Sequence, residues 1–184
     1  MKTFVLSVIG QDRPGIVARV SALLDSFGCS IEDISQTILK SEFAAIFIFT
    51  NPREEDLGAI QAALDDKLGP LELACRVKAT APVCAGCKIK ETDPFVVTSF
   101  GRDRPGQVAG ISRVMERFGC NISNLKGVNR SELGPGEVVM IFEIDAPKGM
   151  DIPAFRTALA EKTRDLDLTC SVQHREIFES INRV

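Results

Sequence analysis

Asp-Arg-Pro-Gly occurs twice in this chain, as Asp12-Arg13-Pro14-Gly15 and as Asp103-Arg104-Pro105-Gly106, and each copy has a glycine two residues upstream, Gly10 and Gly101. A repeat at an offset of 91 in 184 residues constrains the fold sharply, because whatever the first half forms the second half must form too. Each copy follows a run of β-formers, Phe4 to Ile9 and Phe95 to Phe100, and precedes apolar residues at helical spacing. The repeated stretch therefore reads as a strand-to-helix turn. Proline is expected in the first helical turn, where its missing N–H costs nothing, and the glycine after it leaves the backbone open to close approach. Unpaired amides at the positive end of a helix dipole suit a carboxylate or another small anion. The plainer alternative is that Asp12 and Asp103 are N-caps accepting from the amides of Gly15 and Gly106.

Beyond the first turn, Ile16, Val17, Val20, Leu23, Leu24 and Phe27 form one helical stripe that Gly28 stops. Two strands follow, Ser30 to Lys40 and Phe43 to Thr50, joined as a hairpin around Ser41-Glu42. Asn51-Pro52 ends the second of them, and Leu57, Ile60, Leu64 and Leu68 line a second helix closed by Gly69-Pro70. Leu71 to Val77 reads as a last strand. The second half repeats the series with Val108, Ile111, Val114, Met115 and Phe118, then Gly119, with Ile152, Phe155 and Leu159 in its second helix and Leu166 to Gln173 as its last strand. Four extra residues fall around Leu133-Gly134-Pro135-Gly136. The order β-α-β-β-α-β predicts an α+β protein of two ferredoxin-like units, each an antiparallel four-stranded sheet with two helices on one face. The expected boundaries are 1–78 for the first domain, 79–93 for a linker, 94–175 for the second domain and 176–184 for a C-terminal tail. Ile177, Phe178 and Ile181 would make that tail a short amphipathic packing or pairing element.

Composition narrows the function classes. With 22 basic and 25 acidic residues the net charge is −3, which offers no electrostatic footprint for a phosphate backbone, and direct binding to nucleic acid is disfavoured. Trp and Tyr are absent, which removes most stacking platforms for single strands. The apolar run after Met1 is too short for a secretory signal and recurs internally, and no stretch is long enough to cross a membrane, so a cytoplasmic protein is expected. Cys29 matches Cys120 and Cys75 matches Cys170 between the halves, as small buried hydrophobes would. Cys84 and Cys87 form a C-x-x-C without a counterpart; no second pair completes a zinc site, and the position suits a linker rather than a redox helix. No metal and no cofactor are expected. An enzyme is poorly supported, since His174 is the sole histidine and no nucleophile has a base in a recognisable motif.

Two repeated motifs, Asp-Arg-Pro-Gly and Phe27-Gly28-Cys29-Ser30-Ile31 (Phe118-Gly119-Cys120-Asn121-Ile122 in the second half), carry a resemblance once the fold order is added. Each half resembles an ACT domain, a small-molecule sensor module, and the resemblance covers nearly the whole chain. A tandem pair with little else is most similar to the glycine cleavage system transcriptional repressor family. That resemblance implies a regulatory protein that binds no DNA itself and modulates a partner such as a transcription factor in response to glycine or another small amino acid. In ACT domains of biosynthetic enzymes the effector commonly lies between two modules, on the Pro-Gly turn of one and the second strand of its neighbour. The implied ligand residues are Asp12, Pro14 and Gly15 with Asp103, Pro105 and Gly106 from the turns, and Ser30 and Asn121 from the strands.

The serine-sensing version has His and Asn where Gly10 and Asp12 stand here. The aspartate would instead favour an ammonium group through a charge-assisted hydrogen bond of about 1.5 to 3 kcal/mol. If the units pair with approximate two-fold symmetry, Asp12 would meet Asn121 and Asp103 would meet Ser30, and the longer, two-sided amide would make the first site the tighter. Exposed strand edges also suggest a homodimer. The competing reading is a protein-interaction scaffold with a vestigial ligand site.

Overall fold

The computed structural model describes residues 2–52, 56–80, 91–129 and 136–182. Two compact units divide the chain, Met1–Cys87 and Lys88–Val184. The first contains β1 (Thr3–Gln11), α1 (Ile16–Ser26), β2 (Ser30–Leu39), β3 (Glu42–Thr50), α2 (Leu57–Leu68) and β4 (Ala74–Ala79). The second repeats them as β5 (Thr92–Arg102), α3 (Gln107–Arg117), β6 (Asn121–Asn129), β7 (Glu137–Pro147), α4 (Ile152–Asp165) and β8 (Leu168–His174), and adds α5 (Arg175–Asn182). Sheet orders are β2-β3-β1-β4 and β6-β7-β5-β8, antiparallel throughout, which is the ferredoxin-like arrangement expected of an α+β tandem. Cys84, Cys87 and the inserted Leu133, Gly134 and Pro135 lie outside the described residues.

Alternation drives each sheet. Phe4, Leu6 and Val8 of β1 and Phe43, Ala45, Phe47 and Phe49 of β3 point to one face, where Val20 and Leu24 of α1 and Ile60 and Leu64 of α2 close the core. Each large side chain buried there contributes about 1.5 to 3 kcal/mol. The last strands start later than the pattern implies. Gly69–Leu71 continue as a short 3₁₀ turn, and Glu72 then takes a left-handed φ of 57°, so β4 begins only at Ala74. Asp167, at φ 53°, holds the same place before β8.

Phe-Gly-Cys proves to be a helix stop. Gly28 sits at φ 69° and donates to Asp25 O, while the Cys29 amide reaches back to Leu24 O at 3.0 Å. Gly119 and Cys120 make the same two bonds to Glu116 and Met115. These paired bonds define a Schellman motif and release the chain into the second strand, with the cysteine side chain buried beneath. In the first unit, Gln61 of α2 protects the outer edge of β4, donating to Cys75 O and accepting from Val77 N–H, both at 2.9 Å.

The two cores differ by a matched exchange. Val8 and Ala45 are opposite each other in the first sheet, whereas Ser99 and Met140 take those places in the second. The smaller serine makes room for the longer methionine. Its hydroxyl is fully buried and has no hydrogen-bond partner among the described residues. Because an unsatisfied buried hydroxyl costs free energy while alanine adds no volume beside Met140, Ser99→Ala should stabilise the protein by about 1 kcal/mol. Urea unfolding would show a higher midpoint at unchanged slope; a lower midpoint would mean that the hydroxyl is satisfied in solution.

Candidate functional site

The turn is built from its glycines. A Cβ on Gly10 would stand 2.6 Å from the carbonyl oxygen of Glu72 and 2.8 Å from Leu73 Cδ2, and one on Gly101 would collide with the carbonyl oxygen of Asp167. No side chain fits at either place, histidine included. Gly15 and Gly106 are the N-caps, at φ 93° and 87°, a region that disfavours any residue with a Cβ. Neither cap makes a side-chain hydrogen bond. The alternative in which Asp12 and Asp103 cap the helices is therefore corrected: the left-handed glycine turns the chain, leaving the aspartates upstream. Pro14 and Pro105 also precede the caps rather than occupying the first helical turn, for the same reason.

Backbone bonds hold the aspartates in place, from Asp12 N–H to Ser41 O and from Asp103 N–H to Gly136 O, each 2.7 Å. The first intrahelical bonds run from Arg19 N–H to Gly15 O and from Gly110 N–H to Gly106 O. The amides of Ile16, Val17 and Ala18, and of Gln107, Val108 and Ala109, consequently have no acceptor within their helices. Asp12 is exposed, and its carboxylate enters no hydrogen bond or ion pair among the described residues. In the second unit Arg104 pairs with Asp167, and the buried Gln107 amide donates to Arg102 O at 2.7 Å, bracing the turn from behind.

An open groove of about 570 Å³ lies at that second turn, lined by Asp103, Arg104, Gly106, Gln107, Val108, Ala109, Gly127, Val138 and Met140. A carboxylate side chain, free helix amides and an apolar floor thus converge on a space suited to a small zwitterion. Of the residues the sequence pointed to at this turn, Asp103 and Gly106 line the groove and Pro105 does not, while Gln107 and Gly127 line it without having been singled out. Gly127 is the clearer omission: Gln36 holds the equivalent place in the first unit, so the loss of a side chain from β6 was visible as a difference between the halves.

Ser30 and Asn121 lie elsewhere within their units. Ser30 is level with Thr50 and Thr3, at the start of β1, whereas Asp12 follows the other end of that strand, roughly 25 Å away at strand rise. Asn121 lines a second open groove of about 680 Å³ with Ser112, Arg113, Glu116 and Gly119, at the C-terminal end of α3. Neither unit brings its own turn and its own strand residue together.

Other chemistry is sparse. Among the described residues no group of three His, Cys, Asp or Glu side chains could hold a metal ion, and no helix is long and apolar enough to cross a membrane. Burial, reinforced by Asp65, pushes the Cys75 thiol up to about 11, so it is protonated and a poor nucleophile at neutral pH. Burial raises Cys120 as well. His174 packs edge-on against Phe95 at 5.4 Å.

Comparison with known proteins bears on the family and the fold. A family model described as the ACT domain covers residues 2–78. A UPF0237 protein from Methanosarcina mazei is 46% identical over 63 residues, 34% of this chain and 68% of the relative. An unknown protein from Galdieria sulphuraria superposes with a TM-score of 0.73 at 22% identity, over 94% of this chain and 98% of the other. A protein provisionally named a glycine cleavage system transcriptional repressor gives 0.66 at 18% identity, over 94% and 96%. At those identities the two structures speak for the fold.

Structural and ligand roles within the turn are separable by stability. Gly10→Ala should cost about 1 to 3 kcal/mol, because the backbone of Glu72 would have to move. Asp12→Ala, which removes no cap, should stay within about 0.5 kcal/mol of the parent. Thermal unfolding of both variants measures this, and a loss near 1 kcal/mol for Asp12→Ala would restore the capping role.

Proposed function

Because the chain belongs with the ACT-domain and UPF0237 proteins, we propose that it is a non-catalytic regulatory protein that senses a small amino acid, glycine or a near relative, and modulates a partner such as a transcription factor. ACT domains are regulatory, ligand-binding modules. The observation that carries the reading is the groove at Asp103, Gly106, Gln107 and Gly127. An α-amino acid placed there sets its carboxylate against the free amides of Val108 and Ala109 and its ammonium against Asp103, each a charge-assisted bond. Val138 and Met140 leave room for a hydrogen or a short side chain above an apolar floor. Gly127 supports the second turn over the first, since Gln36 projects where the groove would run in the first unit, and this reverses the ranking expected from Asp12 and Asn121. Asp12, Pro14 and Gly15 provide a second, weaker site of the same kind, and Ser30 and Asn121 serve a ligand only when a neighbouring ACT unit, of this chain or of another, supplies the turn.

A scaffold reading, in which the protein makes partner contacts and binds no ligand, draws on the exposed apolar residues Ile34, Ile38 and Leu39 of β2. Isothermal titration with glycine, alanine and serine separates the two. On the sensing reading at least one binds, and Asp103→Ala weakens it by roughly 10- to 150-fold while Asp12→Ala weakens it less. Absence of binding by all small amino acids at millimolar concentration would leave the scaffold reading standing.

A further inference from the structure

The two sheets differ on the face that carries no α1–α2 or α3–α4 pair. In the second unit Val96 lies on that face and is 2% exposed. There α5 packs on β5 and β8, and Arg175 at its start reaches Ser123 Oγ at 3.3 Å and Glu143 and Asp145 at 3.7 Å. The second sheet is thus partly covered by the chain's own last helix.

The matching face of the first sheet has a regular pattern. Strand register sets Asp33, Ile48, Val5 and Lys78 in one row, Ser35, Ile46, Ser7 and Arg76 in the next, and Thr37, Ala44, Ile9 and Ala74 in a third. Its centre is apolar, with Ile9 54% and Ile46 50% exposed. One flank, β2, carries an anion and the other, β4, carries two cations. Asp33, Arg76 and Lys78 are exposed and form no ion pair among the described residues.

We infer that this face binds the same face of a second copy of the chain, about a two-fold axis running parallel to the strands. That operation lays β4 of one copy over β2 of the other while keeping the rows in step. Lys78 then meets Asp33, Ile48 meets Val5, Ile46 meets Ser7, and Ile9 meets Ala44, twice over by symmetry. Glu42 meets Gln11. A two-fold axis perpendicular to the strands would instead set Arg76 against Arg76 and leave Asp33 without a cation. Aligned packing of two sheets about 10 Å apart accommodates the first arrangement within its usual twist. The exposed ion pairs fix orientation more than they add affinity, and the apolar centre supplies the attraction. Four strands by three or four rows make a face about 20 Å on a side, a size that belongs to weak, reversible associations.

Sedimentation of the full chain over a concentration series tests this. A reversible dimer is expected, with Asp33→Lys weakening it at least tenfold in low salt and Ile46→Glu abolishing it. The double variant Asp33→Lys with Lys78→Asp should return to within about threefold of the parent, because the exchanged charges face each other across the axis. Circular dichroism confirms that each variant is folded, and the charge exchange keeps the test alive if Ile46→Glu is not. A chain that stays monomeric at several hundred micromolar, or a dimer indifferent to Asp33→Lys and Ile46→Glu and so formed through a strand edge, would overturn the inference.

Discussion

A contact that admits no side chain holds the molecule's most informative stretch in place. In each unit the last residues of the first strand pass beneath the carbonyl of a left-handed residue, Glu72 or Asp167, that introduces the fourth strand. Only glycine allows that approach, and it fixes the direction in which the chain leaves the sheet. Two residues later the aspartate amide is tied to the hairpin or the loop beside it, and the left-handed Gly15 or Gly106 then starts the helix. Two glycines and two backbone bonds therefore determine the turn. In the first unit the Asp12 carboxylate takes no part in this geometry, so its removal should leave the turn intact.

Much of the fold was legible because the repeat doubled every signal. Periodicity placed the strands and helices, and the matched Phe-Gly-Cys stops marked where α1 and α3 end. Less legible was the division of labour within the turn. An aspartate just ahead of a helical stripe suggests a cap, and nothing in one sequence tells that Gly15 would take a positive φ and claim the position. The starts of β4 and β8 were misjudged for a related reason: Glu72 and Asp167 carry no local sign of a left-handed backbone, which tertiary packing against Gly10 and Gly101 imposes. The groove itself was half legible. Its charged rim lies in the motif, but its opening depends on Gly127, which matters only through what Gln36 would block.

The halves have kept their topology and differ in core packing and in one sheet face. The exchange of Val8 and Ala45 for Ser99 and Met140 trades a branched side chain for a longer one at the cost of a buried hydroxyl, while the sheet face opposite the helix pair is partly covered by α5 in one unit and left exposed in the other. On the two proposals above, the tandem would separate tasks, with ligand binding in the second unit and association through the first. Regulation requires that the two be energetically linked, so that ligand occupancy changes what the protein associates with.

The central claim is that a small amino acid binds at the second turn, and backbone NMR reads it most directly. Titrating glycine into ¹⁵N-labelled protein should move the amide signals of Gly106, Gln107, Val108, Ala109 and Gly127 together along one saturating curve, with the Gly15 turn responding later. Shifts confined to Asn121 and the C-terminal end of α3, or none at millimolar glycine, alanine and serine, would contradict it.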